Sequence, residues 1–154
     1  MILTIFGQPG SGKTTMSDLW MSEHPDWFRI DGDELREILP NKNYSIAGRH
    51  DNINRANTIA TYLNHQYYHV VMSLVNPFQQ LRRDLVGLNP ESVYNVFLVS
   101  ARTLKRENHF HMFEQPKMSE EATLRIDTSD KSIIETYEMI YEGFYHYAKG
   151  KQGF

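Results

Sequence analysis

The sequence predicts an α/β protein: a five-stranded parallel sheet with helices on both faces. Three observations predict it. Five short apolar runs alternate with stretches of helical periodicity along the 154 residues. One run, 70–75, is nearly continuous in its hydrophobicity, as a central parallel strand is. A Gly-rich turn joins the first run to a helical stretch, the strand–turn–helix order of a parallel unit.

Taken in order, Ile2–Phe6 reads as the first strand, and 13–24 as the helix after the turn. Residues 27–30 form the second strand candidate, followed by a short helix over 34–39. The stretch 49–66 puts Ile53, Ala56, Ile59, Ala60 and Leu63 on one helical face. The run 70–75 is the third strand and 78–86 a helix; Val93–Val99 and Leu124–Asp127 are the fourth and fifth strands. The final helix, 132–148, aligns Ile133, Tyr137, Ile140, Tyr141 and Phe144. No internal repeat, low-complexity stretch or linker interrupts the chain, so residues 1–154 read as a single domain.

Hydrophobic residues at 40% and charged residues at 23% suit one buried core and exclude a disordered chain. Nineteen acids against sixteen bases give a net charge of -3, against a protein whose main task is gripping a long polyanion. With no cysteine, disulfides, thiolate zinc sites, iron–sulfur ligation and cysteine nucleophiles are excluded. The opening apolar run is too short for a signal peptide or a membrane span, so the expectation is a cytoplasmic protein with no membrane partner. Nothing fixes the oligomeric state, and a homodimer stays open.

The segment Gly7-Gln8-Pro9-Gly10-Ser11-Gly12-Lys13-Thr14 fits G-x-x-x-x-G-K-[ST] in full. Its glycines let successive backbone N–H groups curl toward phosphate oxygens, and the following helix adds its N-terminal amides and partial positive charge. Lys13 reaches the β- and γ-phosphates, and the Thr14 hydroxyl suits Mg²⁺. Together with Thr15, this loop is the expected binding site for ATP. The strand at 70–75 ends in Asn76-Pro77 with no acid, whereas the strand at 27–30 runs into Asp31-Gly32-Asp33. Two acids at the carboxyl edge of a parallel sheet face the phosphate loop across the ligand crevice. One carboxylate, Asp31, suits Mg²⁺; either Asp31 or Asp33 suits the proton of an acceptor hydroxyl. With Lys13 they form the expected catalytic set of a kinase. By itself the Asp-Gly-Asp triplet is equally a solvated turn.

These residues resemble the adenylylsulfate kinase family, P-loop kinases that phosphorylate the 3′-hydroxyl of adenosine 5′-phosphosulfate. The family's D-G-D-x-x-R element is similar to Asp31–Arg36, and its R-x-x-N-I-x-R segment to Arg49, Asn52, Ile53 and Arg55, with Tyr44-Ser45 before it. Near the end, Phe113-Glu114-Gln115-Pro116 resembles Y-E-x-P, and 124–128 resembles L-x-[IL]-D-T. The resemblance implies that Arg36 and Arg49 hold an anionic nucleotide acceptor, that Tyr44 stacks on its base, and that Asn52 hydrogen-bonds it. It also implies that Arg106 stacks on the ATP adenine.

Two departures stand out. The family's F-I-S-P reads Leu74-Val75-Asn76-Pro77, and the long lid of the K-R-D-P-K-G-L-Y type is reduced to Lys105-Arg106-Glu107 and a few residues. Phe110 or Phe113 could supply part of the missing wall. His109 and His111 are candidate metal ligands without a third. A trimmed lid admits other acceptors: short kinases of this look occur in phages, where some phosphorylate 5-hydroxymethyl pyrimidines of DNA, and polynucleotide 5′-kinases share the loop. For nucleic acid, a patch of Arg49, Arg55, Arg82 and Arg83 would have to offset the net charge. A nucleotide-dependent binding module is the reading outside catalysis.

Overall fold

The computed structural model describes residues 1–117, 121 and 123–151. Every position of β1 (Ile2–Phe6) is buried, because the strand lies mid-sheet with a neighbour on each side. Those neighbours are β3 (Val70–Leu74) and β4 (Val93–Val99); β2 (Phe28–Asp31) and β5 (Leu124–Asp127) form the edges. The order is β2-β3-β1-β4-β5 and all four pairings are parallel.

Among the described residues, five α-helices cover the sheet: α1 (Lys13–Glu23), α2 (Gly32–Ile38), α3 (Ile46–His65), α4 (Gln79–Leu88) and α5 (Ile133–Lys149). Alternate strand side chains point to opposite faces, so two cores form. On one face Leu3, Ile5, Val71, Val96 and Leu98 meet Met16 and Trp20 of α1 and Ile140, Phe144 and Ala148 of α5. On the other, Ile2, Ile30, Val70 and Met72 meet Leu35, Ile53, Ala56, Ala60, Leu81 and Leu85 from α2, α3 and α4.

Beyond α4 that second face is covered by a loop. Phe6 and Phe97 stack at 5.0 Å, and Phe113 stacks on Phe97 at 5.7 Å. Arg82, only 2% exposed, runs beneath them. It donates to the Glu121 carboxylate at 2.7 and 3.0 Å and to the carbonyls of Asn76 and Glu114, each at 2.8 Å. Arg82 therefore belongs to the interior, which corrects the expectation of a surface patch that includes it: a guanidinium buried against a carboxylate and two carbonyls is not presented to a polyanion.

The helix expected from Arg49 begins at Ile46, because the Ser45 hydroxyl accepts from the Gly48 N–H and caps the added turn. The second strand sits one residue later than expected, over Phe28–Asp31, and β3 stops at Leu74. A 3₁₀ turn at Ala101–Lys105 was not expected; Ser100 caps it by accepting from the Arg102 N–H. Among the described residues, no helix is long and apolar enough to cross a membrane.

Candidate active site

The phosphate loop leaves β1 at the centre of the sheet's carboxyl edge, where ligand crevices of open α/β sheets lie. Gly7, Gly10 and Gly12 all have positive φ. At Gly7 a Cβ would lie 2.2 Å from the Leu98 carbonyl oxygen, so no larger residue fits. Lys13 opens α1 and is buried, its Nζ donating to the Gln8 carbonyl at 3.0 Å. Burial lowers the Lys13 pKa to about 8, although Asp33 and then Asp31 pull it upward. The ammonium thus lies within the field of both acids.

Two clefts flank this loop. The first, about 440 Å³, is floored by Gly10–Thr15 and walled by Arg102, Thr128, Lys131 and Ser132. The second, about 300 Å³, is lined by Asp31, Asp33, Arg36, Tyr44, Arg49, Asn52 and Asn76. Gly10, Lys13, Thr14 and Arg106 line both. Arg106 lies against the loop: a Cβ on Gly10 would meet its Nε at 2.7 Å.

The two acids differ in their bonding. Asp31 caps α2, one oxygen accepting from the N–H groups of Asp33 and Glu34, the other from the Ser73 hydroxyl at 2.8 Å. The Asp33 side chain accepts no hydrogen bond among the described residues and stays exposed in the first turn of α2.

Arg36 donates to the carbonyls of Asn41 and Asn43 at 2.8 and 3.1 Å, which folds the segment before α3 around it. Its guanidinium lies 4.2 Å over the Tyr44 ring. One face of the expected base platform is therefore occupied by a cation. Arg49 bonds the Tyr44 carbonyl through Nε at 3.0 Å and rests 4.5 Å over the Phe110 ring. Burial and then the neighbouring Arg36 lower the Arg49 pKa. The two guanidinium groups line the same cleft. Asn52 donates to the Gly32 carbonyl at 3.2 Å, which fixes its amide; its oxygen is buried with no hydrogen-bond partner. Asn76, at φ 48°, likewise has a buried, unpartnered amide oxygen.

Most of the expected residues thus converge from four segments: the phosphate loop, 31–36, 44–52 and Arg106. Gly7 and Gln8 line neither cleft, the Gln8 side chain turning to Phe110, and Tyr44 lines the second cleft with Arg36 on one face of its ring. Missed by sequence reasoning were Arg102, which donates to the Thr128 hydroxyl at 3.1 Å, and Thr128 itself, whose hydroxyl donates to the Ser11 carbonyl at 2.9 Å. The signal for Thr128 lay in the L-x-[IL]-D-T element that ends with it. His109 and His111 stand 5.2 Å apart, ring to ring, and among the described residues no three acids or histidines gather around a metal position.

With this geometry in view, three comparisons with known proteins bear on the site. The family model described as adenylylsulphate kinase matches residues 1–110. A cytidine diphosphoramidate kinase of Campylobacter jejuni is 32% identical over 84 residues, 52% of this chain; the match spans about half, 49%, of that relative. Among solved structures, a Mycobacterium tuberculosis APS kinase in complex with AMPPNP and APS superposes with a TM-score of 0.73 at 21% identity, covering 94% of this chain and 96% of that one. A gluconokinase of Sinorhizobium meliloti gives 0.72 at 18%, covering 96% and 93%. These structural likenesses establish the shared fold, including the five-stranded parallel sheet flanked by helices.

Proposed function

The chain belongs to the adenylylsulphate kinase family, and from that premise we propose that it transfers the γ-phosphate of ATP to a hydroxyl of a small anionic nucleotide, with adenosine 5′-phosphosulfate as the first acceptor. One observation carries this reading: Lys13 and Thr14 border both clefts, and the two acids that act on Lys13 stand in the second.

In this reading the first cleft takes ATP, its phosphates on the loop amides and Lys13. Arg106 spans the loop between the two nucleotides and neutralises phosphate charge. Thr14 and Asp31 offer a hydroxyl and a fixed carboxylate beside the phosphate position, a donor set that fits Mg²⁺. When bound, that ion supplies charge neutralisation on the β- and γ-phosphates. Asp31 is held at both oxygens and orients; Asp33, with its carboxylate free, takes the acceptor's proton. Arg36 and Arg49 grip the acceptor's charged tail, and the Asn52 oxygen accepts from an N–H or O–H of the same ligand. Phosphoryl transfer asks mainly for such positioning and electrostatics.

A second acceptor, a cytidine diphosphoramidate, is favoured by the curated relative and by Arg36 on the Tyr44 ring, which leaves less aromatic surface for a purine. A nucleic-acid acceptor loses support, because Arg82 is not available to a surface patch. The test is transfer from γ-labelled ATP to a panel of acceptors. Label on adenosine phosphosulfate is the expected result, and label on the cytidine compound alone would move the second reading to first place. Label on hydroxymethylated DNA alone, or on no acceptor, would contradict both.

A further inference from the structure

A phosphate-loop side chain is expected to serve ATP, and Gln8 does not. Its side chain lines neither cleft. Its amide instead closes a two-bond ring with the main chain of Phe110, 102 residues away. Nε2 donates to the Phe110 carbonyl at 2.7 Å, and the Phe110 N–H donates to Oε1 at 3.0 Å. Both ends of the amide are thereby engaged with one residue, the pairing a neighbouring strand would make.

Phe110 lies in the shortened segment between the 3₁₀ turn and Phe113, where the chain has no helix or strand of its own. Its ring meets Phe78 edge-on at 5.9 Å and supports the Arg49 guanidinium at 4.5 Å. The Arg49 Nε is already committed to the Tyr44 carbonyl, so the Phe110 ring sets the plane in which the rest of the guanidinium faces the second cleft. A continuous chain of contacts thus runs from the phosphate loop, through Gln8 and Phe110, to Arg49.

We propose that Gln8 is a positioning residue for the acceptor: it latches Phe110 to the phosphate loop, and Phe110 holds Arg49 ready for the acceptor's anionic tail. The proposal rests on the reading of the second cleft as the acceptor site. It gives the trimmed lid a function without a long closing segment, since a side-chain amide of the loop itself holds the abbreviated wall in place. It also couples the two substrates, because the loop that binds ATP carries the anchor of the acceptor's arginine.

The test pairs equilibrium binding with steady-state kinetics on Gln8→Met, which keeps the length and removes both hydrogen bonds, and Phe110→Leu, which keeps the main-chain latch and removes the aromatic ring. The probes are adenosine 5′-phosphosulfate, cytidine diphosphoramidate and a non-hydrolysable ATP analogue. Each variant is expected to weaken the acceptor, in Kd and KM, by about tenfold. The ATP-analogue Kd, the ATP KM and kcat should stay within about twofold. Combined with Arg49→Ala, Gln8→Met should add no further loss, since the two act through one chain of contacts. A merely structural role would instead weaken both substrates together. Wild-type protein that binds neither acceptor probe overturns this proposal and the proposed function. Wild-type binding with an unshifted Gln8→Met acceptor Kd, an equal loss for ATP, or losses additive with Arg49→Ala overturns the latch alone.

Discussion

Ser73 donates to Asp31 at 2.8 Å, so an acid at the end of β2 is fixed by a hydroxyl on the neighbouring strand β3. The other Asp31 oxygen caps α2. Asp31 therefore has a structural duty that Asp33 lacks, and the two substitutions should separate. Asp33→Asn should lower kcat by about 10²–10⁴-fold with an unchanged melting temperature. Asp31→Ala should lower activity and also remove the cap, costing about 1 kcal/mol in urea unfolding. Equal effects of both on stability, with no effect of Asp33→Asn on kcat, would reverse the assignment.

Lys13 gives the site a pH dependence. Burial lowers its pKa to about 8 in the free protein, and a bound triphosphate raises it again by supplying negative charge. Between about pH 8 and 10, binding must therefore take up a proton, and affinity must fall as pH rises. Well below the free-protein value Lys13 is already charged, and it contributes no uptake. Calorimetry of an ATP analogue in buffers of different ionisation enthalpy should show uptake of a fraction of a proton at pH 8.5 that is lost in Lys13→Met. Uptake unchanged in that variant would assign the proton elsewhere.

Arg36 holds two main-chain carbonyls through Nη1 while its guanidinium plane lies over Tyr44, a combination a flexible lysine ammonium does not reproduce. Arg36→Lys should then raise the acceptor KM nearly as much as Arg36→Ala, by about 10- to 100-fold, with the ATP KM little changed. If lysine restores the wild-type value, charge alone is the requirement.

Arg82 and Glu121 make a buried ion pair, with side chains 1% and 0% exposed. Arg82→Met strands the carboxylate of Glu121, since Arg83 reaches it only at 3.6 Å from the surface side. The expected loss is about 3–5 kcal/mol in urea unfolding. Adding Glu121→Leu should recover much of it. A single variant as stable as wild type would remove this pair from the account of how the loop is held.

The parts of this molecule that were legible in the sequence are those set by local patterning. Glycine spacing marks the phosphate loop because positive φ is a property of single residues, and strand and helix periodicities survive because each element has one or two buried faces. The Asp-Gly-Asp triplet was visible as a pair of acids. Its division into a bonded and an unbonded carboxylate was not, because Ser73 reaches Asp31 across 42 positions of chain. Tyr44 was visible as an aromatic face, but a sequence does not say that Arg36 lies on it. Arg82 looked like one of several surface arginines until Glu121 and two carbonyls were brought around it. Gln8 belonged to a motif whose main chain binds phosphate, and nothing in that motif told where its side chain turns.

Transfer from a phosphate on the loop to an alcohol in the adjoining cleft, as proposed, is read in a single-turnover experiment. Enzyme loaded with Mg²⁺ and γ-labelled ATP is mixed with adenosine 5′-phosphosulfate or cytidine diphosphoramidate, quenched over time, and the label is located. The expected product is an acid-stable phosphate ester on a ribose hydroxyl of the acceptor, formed only when the acceptor is present and lost in Lys13→Ala. Label released solely as inorganic phosphate, at the same rate with and without acceptor, would contradict it.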